Sequence, residues 1–165
     1  MKTDRDGHPA QIVIPMEKAV FRMDGQGRWH NQHGPFEHKK IIDHFNAAIQ
    51  KDAVGYFVGQ DHDGIYEKVY FPYQDTALFV MDLLWGDPVQ MLLNTRDRLD
   101  LCPELLFIHN DQLFHKKGGE IIKFSQHALT KISEKIEFSE NGCSIRLLGI
   151  SYSIPEYLLL HKSEQ

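Results

Sequence analysis

The sequence predicts an α+β protein built on antiparallel sheets, and three observations carry that prediction. Turn segments bearing Gly, Asn or Asp recur between short alternating stretches, the mark of hairpins rather than crossover units. Only two stretches carry helical periodicity, around residues 41–49 and 129–136. Strand and helix patterns do not alternate along the chain, which argues against a doubly wound parallel sheet.

Taken in order, residues 1–18 form a polar lead-in in which Ile12-Val13-Ile14 is cut short by Pro15. Ala19 to Asp24 alternates and predicts a strand. Asp24-Gly25-Gln26-Gly27 predicts the turn after it, because glycine supplies positive φ at no steric cost, and Arg28 to Asn31 is the returning strand. His33-Gly34-Pro35 punctuates, and a helix is expected from there to about Lys51. Ile41, Ile42, Phe45, Ala48 and Ile49 fall at i, i+1, i+4, i+7 and i+8, one apolar stripe, while Lys39, Lys40, Asp43 and Asn46 take the wet side. The start is either a Gly34 cap with Pro35 in the first turn or a point a few residues on. His38 lies three residues before Ile41, within the stripe.

Val54 to Gln60 and Ile65 to Phe71 read as a hairpin closed by Asp61-His62-Asp63-Gly64. Pro72-Tyr73-Gln74-Asp75 then breaks the pattern and divides the chain into an N-terminal α+β unit, 1–74, and a C-terminal β-rich unit, 75–165. Thr76 to Trp85 is apolar on both alternating faces apart from Asp82, as a central strand would be. Gly86-Asp87-Pro88 leads into a strand from Val89 to Asn94, and Thr95 to Pro103 reads as a polar connection. Leu105 to His109 and Gln112 to Lys116 flank the turn Asn110-Asp111, and Gly118-Gly119 leads into Glu120 to Phe124. Ser125 is an N-cap for a second helix to about Lys135, with Leu129, Ile132 and Ile136 inward. Asn141-Gly142 turns into a last strand, Cys143 to about Gly149. Pro155 ends regular structure, with Tyr157 to His161 as a short docking tail. Each half carries one helix, the outline of a loose repeat without a fixed period.

The chain has 165 residues, 42% of them hydrophobic, enough to build a core without staples. A net charge of -5 opposes binding to nucleic acid or to anionic lipid, whose affinities rest on positive charge. Met1 to Gln11 lacks the apolar stretch of a secretory signal, and the run Ala77 to Met81 falls far short of the roughly 20 residues of a membrane span. Cys102 and Cys143 stand apart without a Cys-x-x-Cys and read as reduced, buried small side chains. The expectation is a cytoplasmic protein that contacts neither nucleic acid nor membrane.

Ten histidines, with His30, His33, His38 and His44 crowded together, raise the question of a metal. His38 and His44 are six apart, about 120° around a helix, and cannot share an ion from that helix alone. No metal and no cofactor are expected. Gly25-Gln26-Gly27 lies between strands, not between strand and helix, so it is a turn rather than a phosphate loop. Asp61-His62-Asp63-Gly64 lacks the later acidic ligands of a calcium loop. No G-x-S-x-G occurs, and Glu104 beside Cys102 disfavours its thiolate, so no catalytic residue is assigned. Asp82 is a candidate perturbed acid or simply an outward carboxylate.

Asp24-Gly25, Gly27-Arg28-Trp29-His30, Gly34-Pro35-Phe36-Glu37 and the helix with Ile41-Ile42 and Phe45 resemble the opening block of a bacterial family, the domain of unknown function 1285 family. Gly55-Tyr56-Phe57-Val58, Lys68-Val69, Asp75, Phe79-Val80 and Asn94-Thr95 resemble its later segments in the right order. The similarity spans about Val20 to Gly149. It implies an N-terminal α+β unit followed by a C-terminal β-rich roll, and a ligand-responsive or signalling role without an established activity. The chain departs from the family pattern at His38, where an Arg is expected, and at Gln74-Asp75, where an acidic pair is expected.

These readings converge on a non-enzymatic small-ligand-binding or regulatory module. Its pocket is expected near the seam of the two halves, lined by Arg28, Trp29, His30, His38 and Asp75. Arg28 would pair with an anionic group, Trp29 would stack, and His38 would make binding pH-sensitive. The alternative for Trp29 is a core anchor behind the first hairpin. Two other functions compete: a protein-interaction or homodimerisation unit, and a small hydrolase or isomerase using His and Asp.

Overall fold

The computed structural model describes residues 10–157. It has the expected α+β class, with mostly antiparallel sheets and two helices. The chain divides into two compact units. Among the described residues the first runs to Ala77 and includes Asn94–Arg96; the second comprises Leu78–Leu93 and residues 97–157.

In the first unit, β1 (Gln11–Ile14) is followed by a three-stranded meander, β2 (Phe21–Met23), β3 (Trp29–Asn31) and β4 (Gly34–Pro35). Gly34-Pro35 is thus a third strand and not punctuation. Helix α1 covers Lys39–Ala47, shorter than its stripe suggests, because Ala48 caps it and Ile49 belongs to β5 (Ile49–Lys51), paired with Val58. The long hairpin β6 (Tyr56–His62) and β7 (Ile65–Tyr70) completes the sheet order β1-β7-β6-β5. Asp63 and Gly64 both take positive φ in its turn, the conformation a tight hairpin needs. The β1–β7 pair is parallel, a non-local contact that hairpin reasoning does not predict.

The core of this unit is aromatic. The Trp29 ring meets Phe21, Phe45 and Phe71 edge-on at 5.7, 5.4 and 4.7 Å between centroids. Its indole N–H donates to Asn46 Oδ1 at 2.8 Å. Asn46, expected on the wet side, is therefore the buried residue of α1, while Ile41 of the stripe is exposed. A sealed indole needs an acceptor, and that requirement outranks the wheel pattern.

The second unit opens with β8 (Phe79–Leu84), central in a six-stranded sheet. Its neighbours follow as β9 (Gln90–Leu93), β10 (Arg98–Asp100), β11 (Leu106–His109), β12 (Gln112–Lys117) and β13 (Glu120–Phe124), in the order β10-β9-β8-β13-β12-β11. A bulge between Val80 and Asp82 sets Val80 and Leu83 into the core and turns Met81 out. The β8–β13 pair is parallel, and β10 lies inside what reads as a polar connection. Asn110 and Asp111 both have positive φ, matching the turn their sequence predicts.

Helix α2 (Gln126–Ile132) is capped as expected by Ser125, whose hydroxyl accepts the Ala128 N–H at 3.2 Å. A 3-10 turn, Ser133–Lys135, replaces its last part, so Ile136 opens a strand. That strand begins a second meander, β14 (Ile136–Ser139), β15 (Gly142–Leu147) and β16 (Ile150–Ile154), of which only β15 is evident in sequence. Beyond β16, Pro155 O accepts from Ile108 N–H and Tyr157 N–H donates to Ile108 O, both at 2.8 Å, which covers the open edge of β11. The rest of the expected tail, to His161, lies outside the described residues.

The same succession of three strands, helix and three strands occurs twice, over 21–70 and over 106–154. No helix among the described residues is long and apolar enough to cross a membrane.

Candidate functional site

The five residues singled out in the sequence occupy different surroundings in the first unit. Trp29 is 1% exposed and enclosed by aromatic rings, so it is the core anchor and offers no face for stacking. Arg28 is exposed; its backbone N–H donates to Asp24 Oδ1 at 3.0 Å, and Gln26 N–H donates to the same oxygen at 2.8 Å. The His30 ring meets the other oxygen of Asp24 at 2.7 Å. Asp24, not singled out in the sequence, is therefore the hub of the turn. Burial works to raise its carboxyl pKa, but the Arg28 N–H, the His30 ring and the Gln26 N–H together hold it below the usual value. His38 is the exposed N-cap residue of α1, without a side-chain cap bond. It borders a hollow of about 380 Å³ with His33 and Glu37, whereas His30 borders a different one of about 400 Å³. Asp75 is exposed, with φ +37°.

A concave site of small-molecule size lies within the second unit. It arises from the turn after β8 and from the amphipathic β14–β16 meander. Register puts Ile136, Ile145 and Tyr152 side by side on one face of that meander, with Leu147 and Ile150 paired further along. The other face carries Glu137, Ser144, Ser153, Arg146 and Ser151. Ile145 in the middle of the apolar face and Ile154 at its far end are buried, and its Ile150 end stays open. There Leu147, Ile150 and Tyr152 join Trp85, Pro88, Val89, Leu101 and Pro103 around a cavity of about 580 Å³. That volume is in the range of small-molecule sites, roughly 300–1,000 Å³.

Its charged lining residues are Asp87, Lys135 and Arg146. The Lys135 ammonium sits over the Trp85 ring, 5.6 Å from its centroid. Arg146 Nε lies 3.7 Å from Glu137 Oε1. Leu148, on the rim, has φ +50° and is 72% exposed, a left-handed conformation that a branched side chain rarely takes. Sequence reasoning passed over this cavity because Trp85 and Tyr152 belong to distant segments. The local signal was an aromatic residue beside the turn Gly86-Asp87-Pro88.

Other polar clusters hold the scaffold together. Asp52 accepts the Tyr70 hydroxyl at 2.5 Å, the Lys68 ammonium at 3.2 Å and the N–H groups of Val54 and Gly55. The Tyr70 bond leads in holding the Asp52 carboxyl down to about 2 and raises the Tyr70 phenol in turn. Asp82 is tied to α2: Lys131 donates to it at 2.9 Å and to Leu83 O at 2.8 Å, and the Lys131 bond leads in lowering its pKa. Cys102 is exposed and Cys143 half-buried, contrary to the expectation that both are buried. Cys102 follows a loop that puts its N–H on His115 Nε2 at 3.1 Å, which directs its side chain away from the core. Burial pushes the Cys143 thiol up, away from the nucleophilic form, and lowers the pKa of the His115 ring. Among the described residues no group of three metal-ligating side chains is assembled.

No family model matches the chain, and no match is found among curated proteins. Two solved structures are similar. A DUF1285 family protein from Silicibacter pomeroyi DSS-3 has a TM-score of 0.57 at 11% identity, over 89% of this chain and 83% of that one. A DUF1285 family protein from Shewanella baltica OS155 has a TM-score of 0.49 at 12% identity, over 70% of this chain and 91% of that one. At such identity the likeness is one of fold, and in fold this chain resembles the DUF1285 family.

Proposed function

We propose that this protein is a small-ligand-binding module of regulatory type, without catalysis, and that its ligand enters the cavity beside Trp85. The observation that carries the reading is an apolar cavity of about 580 Å³ whose rim holds an aromatic ring under an ammonium group. Apolar walls with few polar groups suit binding by burial, with orientation set by those few. The non-catalytic part of the reading is supported by the His30–Asp24 pair, in which Asp24 accepts the Gln26 and Arg28 N–H groups and so serves the turn.

A thermal-shift panel of metabolites against the full chain tests the reading. A ligand at a hundred times its dissociation constant adds about 2.7 kcal/mol, or roughly 5–10 °C at this size. Hits should vanish in Ile150→Glu, a change at a position 55% exposed, with the unliganded melting temperature close to wild type. A hit that survives Ile150→Glu places binding elsewhere and contradicts the proposal.

A protein-interaction role is favoured by one observation. Phe138 is 81% exposed on β14, an outer strand of its sheet. Sedimentation showing a dimer that Phe138→Ser dissociates would support that role.

A further inference from the structure

We infer that the cavity beside Trp85 takes a hydrophobic monocarboxylate, with its apolar body against Ile150 and Tyr152 and its carboxylate on the Lys135 ammonium. The inference rests on the ligand-binding reading above and adds the chemical class. The walls come first. Pro88, Val89, Leu101, Pro103, Leu147 and Ile150 cannot satisfy a sugar or a nucleobase, whose buried polar groups would go unpaired.

The polar groups then decide the sign of the charge. Among the described residues Lys135 has no carboxylate within 4.0 Å, although Glu134 and Glu137 border an adjoining hollow with it, and neither the Trp85 indole N–H nor the Tyr152 hydroxyl has a hydrogen-bond partner. The open groups are thus mainly donors, and they call for an acceptor. A cationic ligand would seek the aromatic face, which the Lys135 ammonium already covers. A neutral ligand would strip water from that ammonium without replacing it. A phosphate or other multiply charged anion needs more than one cation, but register puts Arg146 on the polar face of the meander with Glu137, and Asp87 lies on the rim to repel excess charge. A single carboxylate matches what remains.

The test uses octanoate, 1-octanol and octylammonium, titrated into the full chain while tryptophan emission is followed. Trp85 and Trp29 are the two tryptophans, and Trp29 is sealed, so the signal should disappear in Trp85→Phe. Octanoate is expected to bind at least about tenfold tighter than the other two. Lys135→Gln should weaken octanoate about three- to tenfold and leave 1-octanol unchanged, while Asp87→Asn should tighten octanoate. Opposite signs from two rim residues would not arise from a general loosening of the fold. Equal affinity for octanoate and 1-octanol, or a preference for octylammonium, overturns the carboxylate class and leaves the ligand-binding reading standing. No response to any of the three, with panel hits that still vanish in Ile150→Glu, also overturns the class alone. No response together with a flat panel overturns both.

Discussion

The two tryptophans of this chain occupy opposite situations, and the contrast separates scaffold from site. Trp29 is 1% exposed, ringed by Phe21, Phe45 and Phe71, with its N–H given to Asn46. Trp85 is 43% exposed on the wall of a cavity, with the Lys135 ammonium over its face. An indole that is fully satisfied has nothing left to offer a ligand. One left with an open edge and a cation above it does.

Substitutions at the two rings should break this contrast most visibly. Trp29→Ala is expected to cost about 3–5 kcal/mol in urea unfolding, the range for deleting a large aromatic from a core. Trp85→Ala should cost under about 1 kcal/mol and abolish ligand-induced thermal shifts. Equal losses at both sites would mean that Trp85 is as structural as Trp29. Next in size is Asn46→Leu, which strands the buried indole N–H and should cost about 1–3 kcal/mol.

The pH dependence of stability sharpens the picture of the first unit as scaffold. The Asp52 carboxyl falls from 3.8 to about 2, chiefly through the Tyr70 hydroxyl. Its folded-state pKa lies below the unfolded one, so its contribution is complete above about pH 4 and is lost as pH falls towards about 2. Asp52→Asn should therefore flatten the acid limb of the stability curve and leave the neutral region parallel to wild type. The smallest effect is expected at the rim, where Leu148→Asn relieves a left-handed leucine and should add about 0.5–1 kcal/mol.

What the sequence made legible was local. The turns at Asp63-Gly64 and Asn110-Asp111 and the Ser125 cap depend on neighbours within a few residues, and all three form as expected. The helix wheel misplaced Ile49 because periodicity does not mark where a helix stops without a glycine or proline to end it. The parallel pairs β1–β7 and β8–β13 join segments far apart in the chain, and hairpin logic is blind to them. Strand β10 hid behind Arg98 and Asp100, since an edge strand carries charge outward.

The candidate site was less legible than the fold for the same reason. A cluster such as Arg28, Trp29 and His30 draws attention because it is contiguous, yet Arg28 ends the turn and is exposed, while Trp29 opens β3 with its side chain turned inward. Trp85, Lys135 and Tyr152 share no sequence neighbourhood, and only tertiary pairing brings them around one cavity.

The central claim is that ligand chemistry belongs to the open indole and not to the sealed one. Its most direct test is a proton–nitrogen correlation spectrum of the labelled protein, in which the two indole N–H groups give two peaks, assigned with Trp85→Phe. Molecules that stabilise the protein should move the Trp85 peak and leave the Trp29 peak in place. A stabilising molecule that leaves the Trp85 peak unmoved would contradict the account and send the search for the site elsewhere in the chain.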